Sequence, residues 1–114
     1  MDPSKILYSH SKICPIFSGR KKNVEDTFKE IKSGVLKVED LPTITIIKND
    51  KDDIISLNNR RLWIFKKCKE EGFLNIIHVN TKNFKKISKK EQARYNNNIY
   101  SPVAKLDTKL IRKK

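Results

Sequence analysis

The chain has 114 residues, with 26 Lys and Arg against 13 Asp and Glu, a formal net charge of +13 and a pI near 9.9. That length suits one domain whose core needs no disulfides, and no apolar run approaches the ~20 residues of a membrane span. A field of this sign predicts anionic partners, nucleic acid or a membrane surface, although 21 Lys, 15 Ile and 10 Asn are also what A/T-rich coding yields with no ligand involved.

The first predicted element is a short strand over Lys5–Tyr8. The loop "SHSKICPIFSGRKK" follows, broken by Pro15 and Gly19. Asn23 then reads as a helix N-cap, with Glu25 and Asp26 in the first turn. Val24, Phe28, Ile31 and Val35 share one helical face, and Gly34 is a C-terminal stop. Two β-branched runs, Thr43–Lys48 and Asp53–Leu57, flank "NDKD" and predict a hairpin. Asn58 or Asn59 caps a helix from about Arg60 to Glu71, ended by Gly72, with Arg61, Ile64, Phe65 and Cys68 on one face. Leu62 and Phe65 are expected in the core, and Trp63 as packing. "FLNIIHVN" (73–80) predicts the next strand and makes His78 a structural histidine. Ser88 and Glu91 form a capping box for a last helix, Lys89–Asn97, with Ile87 as a staple residue. The order is β-α-β-β-α-β-α, an α/β (α+β) domain with a small mixed sheet and flanking helices. Residues 1–105 are expected as a single domain and 106–114 as a basic flexible tail.

Cys14 and Cys68 share no metal or redox spacing and are expected as reduced thiols. The N-terminus carries no signal-peptide h-region. The expected location is therefore intracellular, nuclear or cytoplasmic. Two histidines without an acid or cysteine cluster predict no metal site.

Arginine is scarce, five in the chain, so adjacent Arg60 and Arg61 at a strand-to-helix junction are not explained by composition. A helix start exposes unpaired N–H groups and the positive end of the dipole, where anions bind. Asn58 and Asn59 add amide donors, and two guanidiniums in the first turn cost less when an anion is present. The alternative is that the arginines pair internally, for example with Asp52 or Asp53. Ser18, Gly19 and Arg20 in "FSGRKK" could form a second, nest-like phosphate wall. His10, near that loop, is a candidate acid or base. Lys21 and Lys22, and Lys82, Lys85, Lys86, Lys89 and Lys90 in "TKNFKKISKK", are candidate nucleic-acid contacts, with Phe84 as a stacking candidate.

The stretch "ISLNNRRLWIF" after a hairpin strand resembles the "GERRYRA" box of ParB proteins and the "GGCHRY" box of sulfiredoxins. Those families share one fold, and its element order matches the one read above. The likeness spans about residues 5–80. It is greatest to ParB/sulfiredoxin-like domains with a "YS-x-x-x-I-x-x-x-F" start and an "NRRLW" helix. The resemblance implies a phosphate role for Arg60 and Arg61, while Asn58 and Asn59 fall where ParB has Gly-Glu. Asn59 also stands where sulfiredoxins carry the catalytic cysteine, so that activity is not expected. ParB's helix-turn-helix domain has no counterpart within the chain.

Three functions follow as expectations. The first is a phosphate-ligand-binding ParB-like domain that binds nucleic acid through its basic surface and the NRRL helix start. The second is a nucleotide-binding enzyme or switch, using ATP or CTP phosphoryl chemistry or acting as a nuclease. The third is an inactive protein-interaction module. The cofactor is open: a nucleotide, with magnesium only alongside it. Whether any reaction is catalysed is open too, as is the oligomeric state.

Overall fold

A computed structural model describes residues 1–16 and 23–111. All seven expected elements form, in the expected order. β1 is Leu7–Tyr8, followed by a short β2, Lys12–Ile13. Then come α1, Val24–Ser33; β3, Ile44–Lys48; β4, Ile54–Ser56; and α2, Asn59–Glu70. β5, Val79–Lys82; α3, Lys89–Asn97; and β6, Lys105–Leu106, complete the chain. The protein is thus a small mixed α/β fold with three helices. Among the described residues no helix is long and apolar enough to cross a membrane.

The main sheet runs β1-β4-β3-β5. β3 and β4 are antiparallel, with Ile47 opposite Ile55; β1 joins β4 and β5 joins β3 in parallel. Because side chains alternate along a strand, the β-branched run of β3 supplies both faces. Ile44 and Ile46 meet Leu62 and Phe65 of α2 on one side. Ile47, with Ile55, meets Phe84 and Tyr95 on the other. The molecule is therefore three layers: α2, with α1 beside it, then the sheet, then α3.

Each helix follows from its local sequence. In α1, Asn23 accepts the Glu25 N–H at 2.8 Å, and Val24, Thr27 and Ile31 are buried. Gly34 ends the helix at φ 85°, which leaves Val35 beyond the helix and 78% exposed, contrary to its expected place on the apolar face. The ring of Phe28 meets Trp63 edge-on at 6.4 Å, so the tryptophan joins α1 to α2. In α2, Leu62, Ile64, Phe65 and Cys68 are buried. In α3, Ser88 accepts the Glu91 N–H at 3.2 Å and Tyr95 alone is buried.

The hairpin turn carries a tie that crosses layers. The Asn49 side-chain oxygen accepts the N–H groups of Lys51 and Asp53, each at 2.9 Å, and so shapes the turn. Asp52 takes the left-handed conformation at φ 67°, which short polar residues tolerate. The Asn49 amide donates to the Tyr95 carbonyl at 2.9 Å, and Asn96 exchanges bonds with Asp50. The end of α3 is thereby fastened to the turn.

Three expectations shift. β5 starts at Val79 rather than near Phe73, because the preceding residues are used elsewhere. Phe73 N–H donates to the Cys68 carbonyl at 2.8 Å, and Ile77 exchanges two 2.8 Å bonds with Met1. His78 is consequently exposed and outside the strand. The expected tail, 106–114, begins inside structure: Leu106 pairs in parallel with Ile13 and packs on the core, and a short 3-10 turn spans Thr108–Leu110. Two-residue strands carry no periodicity that a sequence reading could detect.

Asn49→Ala leaves two N–H groups and the Tyr95 carbonyl without these partners. It is expected to lower stability by ~2–3 kcal/mol, read as a fall in the urea midpoint at unchanged m-value.

Candidate phosphate-binding cleft

The strand-to-helix junction forms as β4 runs out. Thr45 and Leu57 would be the next hydrogen-bonded rung of the antiparallel ladder. Leu57 N–H donates to the Thr45 carbonyl at 2.9 Å. The return bond, however, goes from Thr45 N–H to the Asn58 side-chain oxygen at 2.7 Å. The side chain takes the place of a strand carbonyl while the backbone turns into α2. That oxygen therefore makes no cap bond to the helix, and the first turn of α2 carries no acid. α1 and α3 differ: each has a side-chain cap and an acid in its first turn.

Asn59 is engaged as well. Its oxygen accepts the Ser9 N–H at 3.1 Å, and its amide donates to the Ser9 hydroxyl at 2.8 Å. The Asn59 amide, expected as a donor to an anion, is spent on Ser9, whereas Asn58 ties the helix start to β3 through its side-chain oxygen. Arg61 donates to the Thr43 carbonyl at 3.1 Å, and half-burial lowers its pKa without discharging it. The acids named as internal partners are otherwise occupied: Asp52 lies 3.5 Å from Lys48, and Asp53 accepts from Asn49.

A cleft of about 980 Å³ opens at this junction. Its polar wall includes His10, Lys12, Asn58, Asn59, Arg60 and Arg61, and Leu36, Leu41 and Leu57 give apolar surface. Cys14 and Asp40 also face it. The fold thus brings His10 to the arginines, 50 residues on in the case of Arg60. Lys12 and Asp40 carry no signal of their own in the sequence, and Cys14 is read there only as a reduced thiol. Lys12 and Cys14 lie near His10 in the chain, which was the one available signal, whereas Asp40 carried none. Lys12 reaches Asp107 only at 3.9 Å with its side chain 67% exposed. Among the described residues the lining holds three cations, Lys12, Arg60 and Arg61, and one acid, Asp40, a balance that favours an anion.

Ser18, Gly19, Arg20, Lys21 and Lys22 lie outside the described residues. Lys82, Lys85, Lys86, Lys89 and Lys90 are all exposed but do not line the cleft. Phe84, the expected stacking residue, is only 8% exposed and packs with Ile47, Ile55 and Tyr95, so it is core. Among the described residues no group of three or more His, Cys, Asp or Glu converges as a metal site. Both cysteines are free. Burial pushes the Cys68 thiol up to about 11, whereas Cys14 is half-buried at the cleft wall.

Comparison with family models, with curated proteins and with solved structures found no match to this chain.

Asn58→Ala leaves the Thr45 N–H unpaired and is expected to cost ~1–2 kcal/mol in chemical denaturation. Asn58→Asp keeps the acceptor and adds a favourable charge at the helix start, so it should retain wild-type stability. At pH 8 a raised pKa leaves only ~0.1% of Cys68 as thiolate. In thiol counting with an aromatic disulfide, Cys14 should react in the native state and Cys68 only after unfolding.

Proposed function

We propose that the chain is a phosphate-binding domain of the ParB/sulfiredoxin-like kind and that nucleic acid is its principal ligand. The observation that carries this reading is the start of α2. Arg60 and Arg61 stand in its first turn, that turn contains no Asp or Glu, and the cap oxygen is spent on Thr45, all at the mouth of a cleft lined by Arg60, Arg61 and Lys12. Cations at a helix N-terminus cost a few tenths of a kcal/mol to ~1 kcal/mol, and a bound phosphate offsets that. The order β-α-β-β-α-β-α of the main-sheet strands and the helices, and the NRRLW position at a hairpin-to-helix junction, support the family likeness. The net charge of +13 supports a polyanion as the ligand.

A nucleotide-binding enzyme or switch is the second reading. It is favoured by the cleft's size, which is that of a small-molecule pocket, and by the presence of His10 in its wall.

The test is a titration of wild type and Arg60→Ala/Arg61→Ala with ATP, CTP and a short DNA at two salt concentrations. The expected result is DNA binding that weakens steeply with salt and weakens further in the double variant. Saturable nucleotide binding lost in that variant would move the conclusion to the second reading. No binding of any of the three by a folded wild type would leave a protein-interaction module, the arginines then serving the fold through contacts such as Arg61 to Thr43.

A further inference from the structure

The lysine-rich run does not belong to the cleft, and its charge is not shared evenly over the molecule. From Lys82 to Asn98 there are six cations, Lys82, Lys85, Lys86, Lys89, Lys90 and Arg94, against the single acid Glu91. The other described residues hold fourteen cations and twelve acids. Lysine gained through base composition would spread over every exposed element. Here the described excess is concentrated in one run of structure. All six cations are exposed, and they are held by β5, by the 3-10 turn Phe84–Lys86 and by α3.

Two observations define the form of the ligand. The first is that the aromatic rings of this run point inward: Phe84 is 8% and Tyr95 9% exposed, both packed on Ile47 and Ile55. No ring between Lys82 and Asn98 is left to stack on an unpaired base, which is how single strands are usually held. The second is that α3 stands out from the sheet. Tyr95 is its only buried residue, while Lys90, Ala93, Arg94 and Asn97 form an exposed stripe at helical spacing. A helix of this kind fits the wide major groove of B-form DNA and not the narrow, deep major groove of duplex RNA. Acids limit the approach at one end. Asp50 bonds Asn96 near the helix C-terminus, and Asp52 sits at the same turn. The positive potential therefore lies toward the N-terminal end of α3, where Lys82, Lys85, Lys86, Lys89 and Lys90 outnumber Glu91.

We propose that the α3 face is a docking surface for duplex DNA, with Lys82, Lys85 and Lys86 on the phosphates and the N-terminal half of α3 directed into the major groove. The proposal rests on the nucleic-acid reading above and adds a surface separate from the cleft, since α2 and α3 pack on opposite faces of the sheet.

The experiment is fluorescence anisotropy on the full chain with labelled duplex DNA, duplex RNA and single-stranded DNA of one sequence, across a salt series. Wild type is compared with Lys86→Gln/Lys89→Gln/Lys90→Gln. All three lysines are exposed, and removing cations from the α3 start does not oppose its dipole. The fold of the variant is checked by its Tm. A second variant, Lys82→Gln/Lys85→Gln, changes no residue of α3 and removes two of the three proposed phosphate contacts. Duplex DNA should bind tightest. Both variants should weaken it at least ~10-fold at low salt; the log–log salt slope should flatten by about 2 in the double variant and by at least about 1 in the triple variant, since each lost phosphate contact is worth about 0.9. Tighter binding of the single strand or of duplex RNA overturns the proposal. So do folded variants that bind duplex DNA as wild type does. Loss of DNA binding in Arg60→Ala/Arg61→Ala but in neither lysine variant overturns the α3 surface and leaves the proposed function standing. A wild type that binds no nucleic acid overturns both.

Discussion

The 2.7 Å bond from the Thr45 N–H to the Asn58 side chain is the contact on which the rest of the molecule turns. It ends β4, opens α2 and keeps the sheet's ladder complete at the point where the chain leaves it. Its neighbour Asn59, bonded twice to Ser9, sets the end of β1 against the same helix turn. Two adjacent amides thus hold together β1, β3 and α2, and the arginines that follow them acquire a fixed position at the cleft. An asparagine suits this role because one planar group offers both an acceptor and a donor. The sign of the helix start then follows: with the cap oxygen diverted, no side chain of the cap or of the first turn brings negative charge to the guanidiniums.

The sheet separates two kinds of basic surface. On one side are guanidiniums, half-buried at the edge of a cleft beside apolar walls. On the other are exposed lysine ammoniums on short, well-seated elements. These groups differ in chemistry as well as in place. A planar fork can hold one phosphate bidentately, whereas hydrated ammoniums act as point charges along a backbone. Asn49 couples the two sides mechanically, because the hairpin that delivers α2 also grips the end of α3.

What the sequence made legible were elements with several signals in a row. α2 had an asparagine cap, an apolar face and a closing glycine, and it lies within a residue of expectation at each end. α3 had its Ser88 cap. Val35 fits the helical spacing but not the helix, because the left-handed backbone of Gly34 ends α1 before it. The role of Asn49 was hidden because its partner, Tyr95, is 46 residues away. Asn58 and Asn59 were correctly placed at the junction, but nothing local revealed that their side chains would be used by Thr45 and Ser9. The cleft was half-visible: His10 and the arginines stood out by type, while Lys12, Cys14 and Asp40 enter it only through tertiary packing.

The parallel pairing of β2 with β6 has a thermodynamic consequence for the cleft. Two residues from each strand hold the wall that carries His10, Lys12 and Cys14. So short a pairing lies at the low end of local stability, well below the hairpin and α2. The cleft is therefore bounded by a firm side and a side that opens more readily, and amide exchange should be faster in 11–13 than in 44–47. A ligand that bridges the two must supply the free energy of holding the softer wall shut. Its apparent affinity then depends on residues of β6 that never touch it.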